Sequence, residues 1–180
     1  MTQYAIALET TGTDTMSEII KVSLVDMSND QAILDCLLDT DHCSPGRWQS
    51  IYRYNTGITP EMVAGKSCLF TEPAVRAKFS NLLCRADQLV AYSGDFVRLM
   101  LQISGIQHPP IYSLQDAFAE VYGLTNADGS SATKYQKFQT MCDFYGIGAD
   151  LSTTLGKARA TAACYRALSA RIINDSPLGM

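Results

Sequence analysis

An α/β layered domain around one mixed sheet is the fold class that the sequence predicts, on three observations. The N-terminal third holds three short apolar or β-branched segments separated by brief turns, the middle alternates single strand-like segments with helical ones, and the last third is helical. The helices are expected on both faces of the sheet, because strands this apolar need cover on each side.

Tyr4-Ala5-Ile6-Ala7-Leu8 has the character of a buried strand, and after a turn at Thr11-Gly12-Thr13 the segment 19–25 is β-branched and partly alternating. A turn at Ser28-Asn29-Asp30 leads to a third strand over 32–38. Three consecutive strands with short turns make an antiparallel meander. Thr59-Pro60-Glu61 then opens a short helix with an N-cap residue and a proline at its first position, and Thr71-Glu72-Pro73 opens a second in the same way. The second helix places Val75, Phe79, Leu82 and Leu83 on one side and Arg76, Lys78 and Arg85 largely on the other. A short strand over 88–92, a helix over 95–103 and a fifth strand at Ile111-Tyr112 follow. Helical periodicity covers 114–122, 135–145 and 157–173, interrupted by a Gly and Ser rich loop over 126–131 and by 146–154. One domain is expected over 1–173, with 174–180 as a flexible tail.

The chain has 180 residues, 47% of them hydrophobic, and a formal charge of -4. At this length one core buries about 70% of the surface that the unfolded chain exposes, so no disulfide or structural metal is needed. Intrinsic disorder, a membrane span and a broadly cationic binder are all excluded by this composition. Charge is uneven: net -7 over 1–41, +3 over 42–100, -3 over 101–150 and +3 over 151–180. The two positive blocks are candidates for a binding face, since a local patch and not the total attracts phosphate. No leader pattern follows Met1, and a cytoplasmic location is expected.

Several motifs lead nowhere. Gly65-Lys66-Ser67 resembles the end of a phosphate-binding loop, but its first glycine is Pro60. With only His42 and His108, and no G-x-S-x-G, a triad hydrolase is disfavoured. The six cysteines form no C-x-x-C pair and sit among apolar neighbours, which suits buried reduced thiols. A zinc site from Cys36, His42 and Cys43 lacks a well-spaced fourth ligand.

One segment rises above this background: a strand, then Leu8-Glu9-Thr10-Thr11-Gly12, then a second strand from Glu18. It resembles the opening D-x-E-T-T-G of the DEDDh 3'-5' exonucleases, the family of the proofreading subunit of bacterial replicative DNA polymerases. Tyr54 to Val63 resembles the family's "x-H-G-I-T-x-E-M-V", with Thr56 in place of the histidine. Leu89 to Val97 is similar to "L-V-A-H-N-A-x-F-D", the stretch from Phe138 to Ile147 to "L-x-x-L-C-x-x-Y-G-I", and Gly156 to Ala162 to "H-x-A-x-x-D-A". The resemblance implies an RNase H-like fold over nearly the whole chain.

It also implies a two-metal site of four carboxylates with a histidine base. Carried over position by position, the first aspartate is Ala7, the glutamate is Glu9, the second-motif aspartate is Val97, the base is Gly156 and the last aspartate is Thr161. One carboxylate cannot assemble two divalent cations. Asp95 lies two residues before the lost aspartate, a turn of about 200° on a helix, and Asp14 and Asp150 are near only in sequence. The leading expectation is therefore a pseudoenzyme, with no cofactor, that holds single-stranded nucleic acid or a 3' end in the inherited cleft. Strand contacts map onto Glu9, Thr10, Thr11 and Gly12, with Ile58 as a wedge, Tyr92 and Phe96 as walls, and Lys157 and Arg159 as cations in the degenerate third motif. The turn and core roles of Thr10 to Gly12, Ile58 and Phe96 stand beside that reading. Two alternatives stay open: a module docking a replication or repair protein, and an active nuclease using Mg²⁺ or Mn²⁺ on displaced carboxylates. A continuous basic groove from Arg76, Lys78 and Arg85 to Lys157 favours nucleic acid, whereas an apolar uncharged cleft favours the protein partner.

Overall fold

The structure, a computed structural model, describes residues 1–40, 48, 56–69, 71–122, 124–125, 131–132 and 136–175. His42 and Cys43, part of the zinc reading, and Tyr54 and Asn55 of the second motif lie outside the described residues, as does 176–180 of the expected tail.

The predicted meander forms as β1 (Gln3–Thr10), β2 (Ile19–Asp26) and β3 (Ala32–Leu37), paired antiparallel in that order. β4 (Gln88–Ala91) returns parallel to β1, and β5 (Ile111–Ser113) adds parallel to β4, giving a five-stranded mixed sheet of order β3-β2-β1-β4-β5. Before β4 come α1 (Pro60–Val63) and α2 (Pro73–Leu83), and α3 (Gly94–Ile103) connects β4 to β5. After β5 come α4 (Leu114–Tyr122), α5 (Phe138–Phe144) and the long α6 (Thr154–Asp175).

Strand alternation explains the layers. Along β1, Tyr4, Ile6 and Leu8 enter one core with Phe79 and Leu83 of α2 and Met100 and Leu101 of α3. Their neighbours Ala5 and Ala7 face the other way, against Val25 and, on α6, Ala158 and Ala162. Methyl groups on both sides of this seam let α6 lie close over β1. Leu83, Leu89 and Leu101 are fully buried, each worth roughly 1.5–3 kcal/mol. Helices therefore cover both faces, as expected.

Local details differ from the sequence reading. Thr59 makes no side-chain cap, and α2 is capped by Glu72, not Thr71; the Glu72 carboxylate instead accepts from the Cys68 amide at 2.7 Å. A two-stranded ladder of β6 (Leu124–Thr125) and β7 (Ser131–Ala132) stands where only a loop is expected, because strands of two residues carry no period. α6 starts three residues earlier than the periodicity suggests and runs to Asp175, so residues 174 and 175 continue the helix. The described cysteines are free thiols, and Cys84 is exposed where burial is expected, because it follows the last turn of α2 on the side away from the sheet. Among the described residues no helix is long and apolar enough to cross a membrane.

Candidate active-site cleft

β1 alternation that turns Ala5 and Ala7 toward α6 carries Glu9 to the same side, one residue before the register shift at Thr10. From α6, Lys157, Ala158, Thr161 and Ala162 recur at helical spacing on the inward side. The two elements meet at an ion pair: Lys157 Nζ donates to Glu9 Oε1 at 2.6 Å. The Glu9 side chain is only 10% exposed and that of Lys157 30%, so the pair is largely shielded from water. Thr161 turns its hydroxyl back to its own helix, donating to the Lys157 carbonyl at 2.9 Å.

Next to the pair is a cavity of about 150 Å³ between the start of α3 and α6, lined by Ala7, Tyr92, Phe96, Val97, Phe138 and Lys157 among others. Its wall is apolar and aromatic. Tyr92 and Phe138 stack with ring centroids 4.4 Å apart and planes 15° from parallel, and the Tyr92 hydroxyl donates to the Gln136 carbonyl. Phe138 escapes the sequence reading as a site residue; its only signal is that it opens the helix segment of the fourth matched motif.

Burial pushes the Tyr92 phenol up from 10.0 to about 12, with nearby Cys142 adding to the rise. The folded state thus favours the neutral phenol, a stabilisation present below the ordinary tyrosine value and lost as pH climbs through the window from 10.0 to about 12. Burial raises Tyr112 and Tyr145 as well, so phenolate absorbance during alkaline titration is expected to show several late tyrosines, with the late component reduced in Tyr92→Phe. A wild-type titration indistinguishable from that variant's contradicts this.

The sequence candidates separate into groups. Glu9, Tyr92, Phe96 and Lys157 come together around the cavity, with Ala7, Val97 and Thr161 also lining it at the positions where the resemblance implies carboxylates. Thr10, Thr11 and Gly12 form a closed turn: Thr10 Oγ1 donates to the Gly12 carbonyl at 2.5 Å, and Thr11 Oγ1 accepts from the Glu18 amide at 3.0 Å. Ile58 is buried in a separate cluster with Ile20, Trp48 and Val63, which gives it a packing role. Arg159, two residues past Lys157 and so about 200° around α6, lines a different cleft with Asp150 and Arg166.

The residues present do not fit a two-metal centre. Glu9 already holds an ammonium. Asp95 accepts from Arg98, Asp14 from the Met16 amide and the Ser17 hydroxyl, and Asp150 from the Ser152 amide, so each of these carboxylates has partners in its own segment. The Ser152 hydrogen bonds hold the Asp150 carboxyl below its ordinary range. Among the described residues no group of three His, Cys, Asp or Glu side chains is placed to hold a cation. At 156, where the resemblance implies a histidine, there is no room for a side chain: a Cβ on Gly156 would sit 1.8 Å from the Asp150 carbonyl oxygen and 2.8 Å from Thr153 Oγ1.

The continuous basic groove does not form. α2 packs on the sheet face that carries Ile6 and Leu8, and α6 on the opposite one, so Arg76, Lys78 and Arg85 are separated from Lys157 by the sheet.

No protein-family model and no curated protein matches the chain. Solved structures do. Exonuclease X in complex with 5' overhanging duplex DNA superposes with a TM-score of 0.66 at 18% identity, covering 97% of this chain and 92% of that one. The nuclease domain of 3'hExo, a DEDDh family member bound to rAMP, gives 0.62 at 15% identity, over 97% and 92%. Pop2p of S. pombe, in its Mg²⁺- and Mn²⁺-bound form, gives 0.64 at 13% identity, over 97% and 85%. With its sheet order and two helical layers, the chain has the RNase H-like fold of these structures.

Proposed function

We propose that this chain is a non-hydrolytic exonuclease-like domain that holds a nucleic-acid strand, single-stranded or at its 3' end, without metal, in replication, repair or mobile-element biology. The observation that carries this reading is the Lys157 ammonium on Glu9, at 2.6 Å. A cluster of four carboxylates repels a phosphodiester until cations neutralise it, whereas one carboxylate with its own lysine does not. The nucleic-acid partner is supported by the structural neighbours, one bound to duplex DNA and another described as recognising the 3' end of a histone mRNA stem-loop. The stacked Tyr92 and Phe138 rings with Phe96 offer an apolar wall for a base.

The test uses labelled single-stranded DNA and RNA with Mn²⁺, comparing the wild type with Glu9→Ala. No shortening is expected from either protein, with binding equal in Mg²⁺ and in chelator and falling steeply with salt. Glu9-dependent shortening from the 3' end would overturn the reading and establish an active nuclease. A second reading, docking of a replication or repair protein, is favoured by the apolar wall of the cavity. Failure to bind either polymer at low salt would favour it.

A further inference from the structure

One stretch of the described chain, away from the cleft, carries cations with no ion pair among the described residues. From Pro73 to Ala86 the chain carries Arg76, Lys78 and Arg85 and no acid. None of the three has an ion pair among the described residues, whereas Lys21, Arg98, Lys157 and Arg166 are each matched by a carboxylate. The larger cleft beside Arg159 contains Asp30, which holds Arg166 through both carboxylate oxygens, and Asp150, so its lining has equal numbers of both signs.

Arg76 differs from the other two by being half-buried and placed. Together with Ser80 and Asn81, which follow it at helical spacing, it lines a cleft of about 280 Å³ closed on the far side by Gly105 and Gln107. Gly105 has φ of +65°, and Arg76 Cδ lies 3.7 Å from where its Cβ would be, so the arginine stem runs beside the turn. Ser80 Oγ accepts from the Gln107 amide at 3.0 Å, which leaves its hydrogen to donate. The Asn81 and Gln107 amides add donors, and no carboxylate lines the cleft. A guanidinium, a hydroxyl and two side-chain amides without a competing acid match an oxoanion.

We propose that this cleft between α2 and the turn at 105–107 binds a phosphate of a nucleic-acid backbone, on the sheet face opposite Lys157. Lys78, about 200° round α2, lines a different cleft, so the site rests on Arg76 with Ser80, Asn81 and Gln107. The proposal does not depend on the Glu9–Lys157 cleft, since the two sites lie on different faces.

The experiment titrates the ¹⁵N-labelled full chain with inorganic phosphate and, separately, with single-stranded DNA, and measures DNA anisotropy against salt for Arg76→Gln, Asn81→Ala and Lys157→Ala. Amide shifts at Ser80, Asn81 and Gln107 are expected with both ligands. Arg76→Gln is expected to weaken DNA binding about tenfold regardless of sequence and to lower the salt slope by about one. Arg76→Lys, which keeps charge but not the planar fork, should recover part of the loss, and matched thermal melts exclude unfolding. Shifts with phosphate but not with DNA overturn the strand and leave a small-oxoanion site. No shift with either, or loss of binding in Lys157→Ala alone, overturns the proposal while leaving the cleft reading intact. Loss in Arg76→Gln alone upholds it and removes the cleft reading.

Discussion

Gly156→Ala is expected to lower stability by about 3 kcal/mol or more, an unusually large loss for one added methyl group. The new Cβ would lie 1.8 Å from the Asp150 carbonyl oxygen and 2.8 Å from Thr153 Oγ1, and the nearer of these is backbone, which no rotamer change moves. Nor can the turn retreat freely. The Ser152 amide donates to Asp150 Oδ1 at 2.9 Å, the Gly156 amide to Thr153 Oγ1 at 3.0 Å and the Lys157 amide to the Thr153 carbonyl at 2.9 Å, so moving residues 150–153 breaks the first turn of α6. At roughly 2–4 °C per kcal/mol for a chain of this size, the midpoint should fall by roughly 6–12 °C. Gly148→Ala, whose Cβ would meet nothing within 4 Å, is the control and should stay within about 0.5 kcal/mol of wild type. Urea unfolding of the two variants decides it; equal stability sinks the argument. The consequence for function is direct. Placing aspartates at Ala7, Val97 and Thr161 together with Gly156→His would not build the resembled site, because the Asp150 carbonyl stands where a side chain at 156 would begin.

Much of this was legible in the sequence where contacts are local, and little where they are not. The meander follows from three adjacent segments and short turns, and it formed as read. The parallel place of β4 beside β1 depends on a crossover through α1 and α2 that no period in either strand reveals. In β1, Tyr4 to Leu8 reads as uniformly apolar; only the arrival of Ala158 and Ala162 shows why the alternate residues are alanines. Lys157 and Arg159 look equivalent as cations of one degenerate motif. Helix geometry puts about 200° between them, and a partner 148 residues away captures only the first. That Gly156 stands where the resembled motif has histidine is visible in the sequence. The reason a glycine stands there is a carbonyl six residues earlier, in a loop whose path has no signature. Likewise Arg76 and Lys78 look like one positive side of α2, yet about 200° separates them and they line different clefts.

Lys157→Ala should cost about 2 kcal/mol, and Glu9→Ala less, because the two partners differ in exposure. Removing the lysine leaves a carboxylate that is 10% exposed with no cation, and breaking a fully buried pair in this way costs roughly 3–5 kcal/mol. The 30% exposure of Lys157 moderates that figure, since water reaches its end of the pair. Removing the glutamate instead leaves a flexible stem that can carry its ammonium outward, at a loss of about 1 kcal/mol. Joining Glu9→Gln to Lys157→Met should recover most of the stability, with a coupling of about 1–3 kcal/mol in the double-mutant cycle. Single variants that add without coupling would mean that the pair does not form. Strand binding then supplies a readout that stability cannot mimic. Glu9→Gln leaves an unmatched cation at the cleft and should tighten binding several-fold at low salt, raising the salt slope by about one, while Lys157→Ala leaves an unmatched anion and should weaken it. An active two-metal nuclease would respond in the opposite sense to the first change, because its glutamate holds the cations that neutralise the strand. The sign of the Glu9→Gln effect therefore separates a cleft that works through its own lysine from one that works through metal.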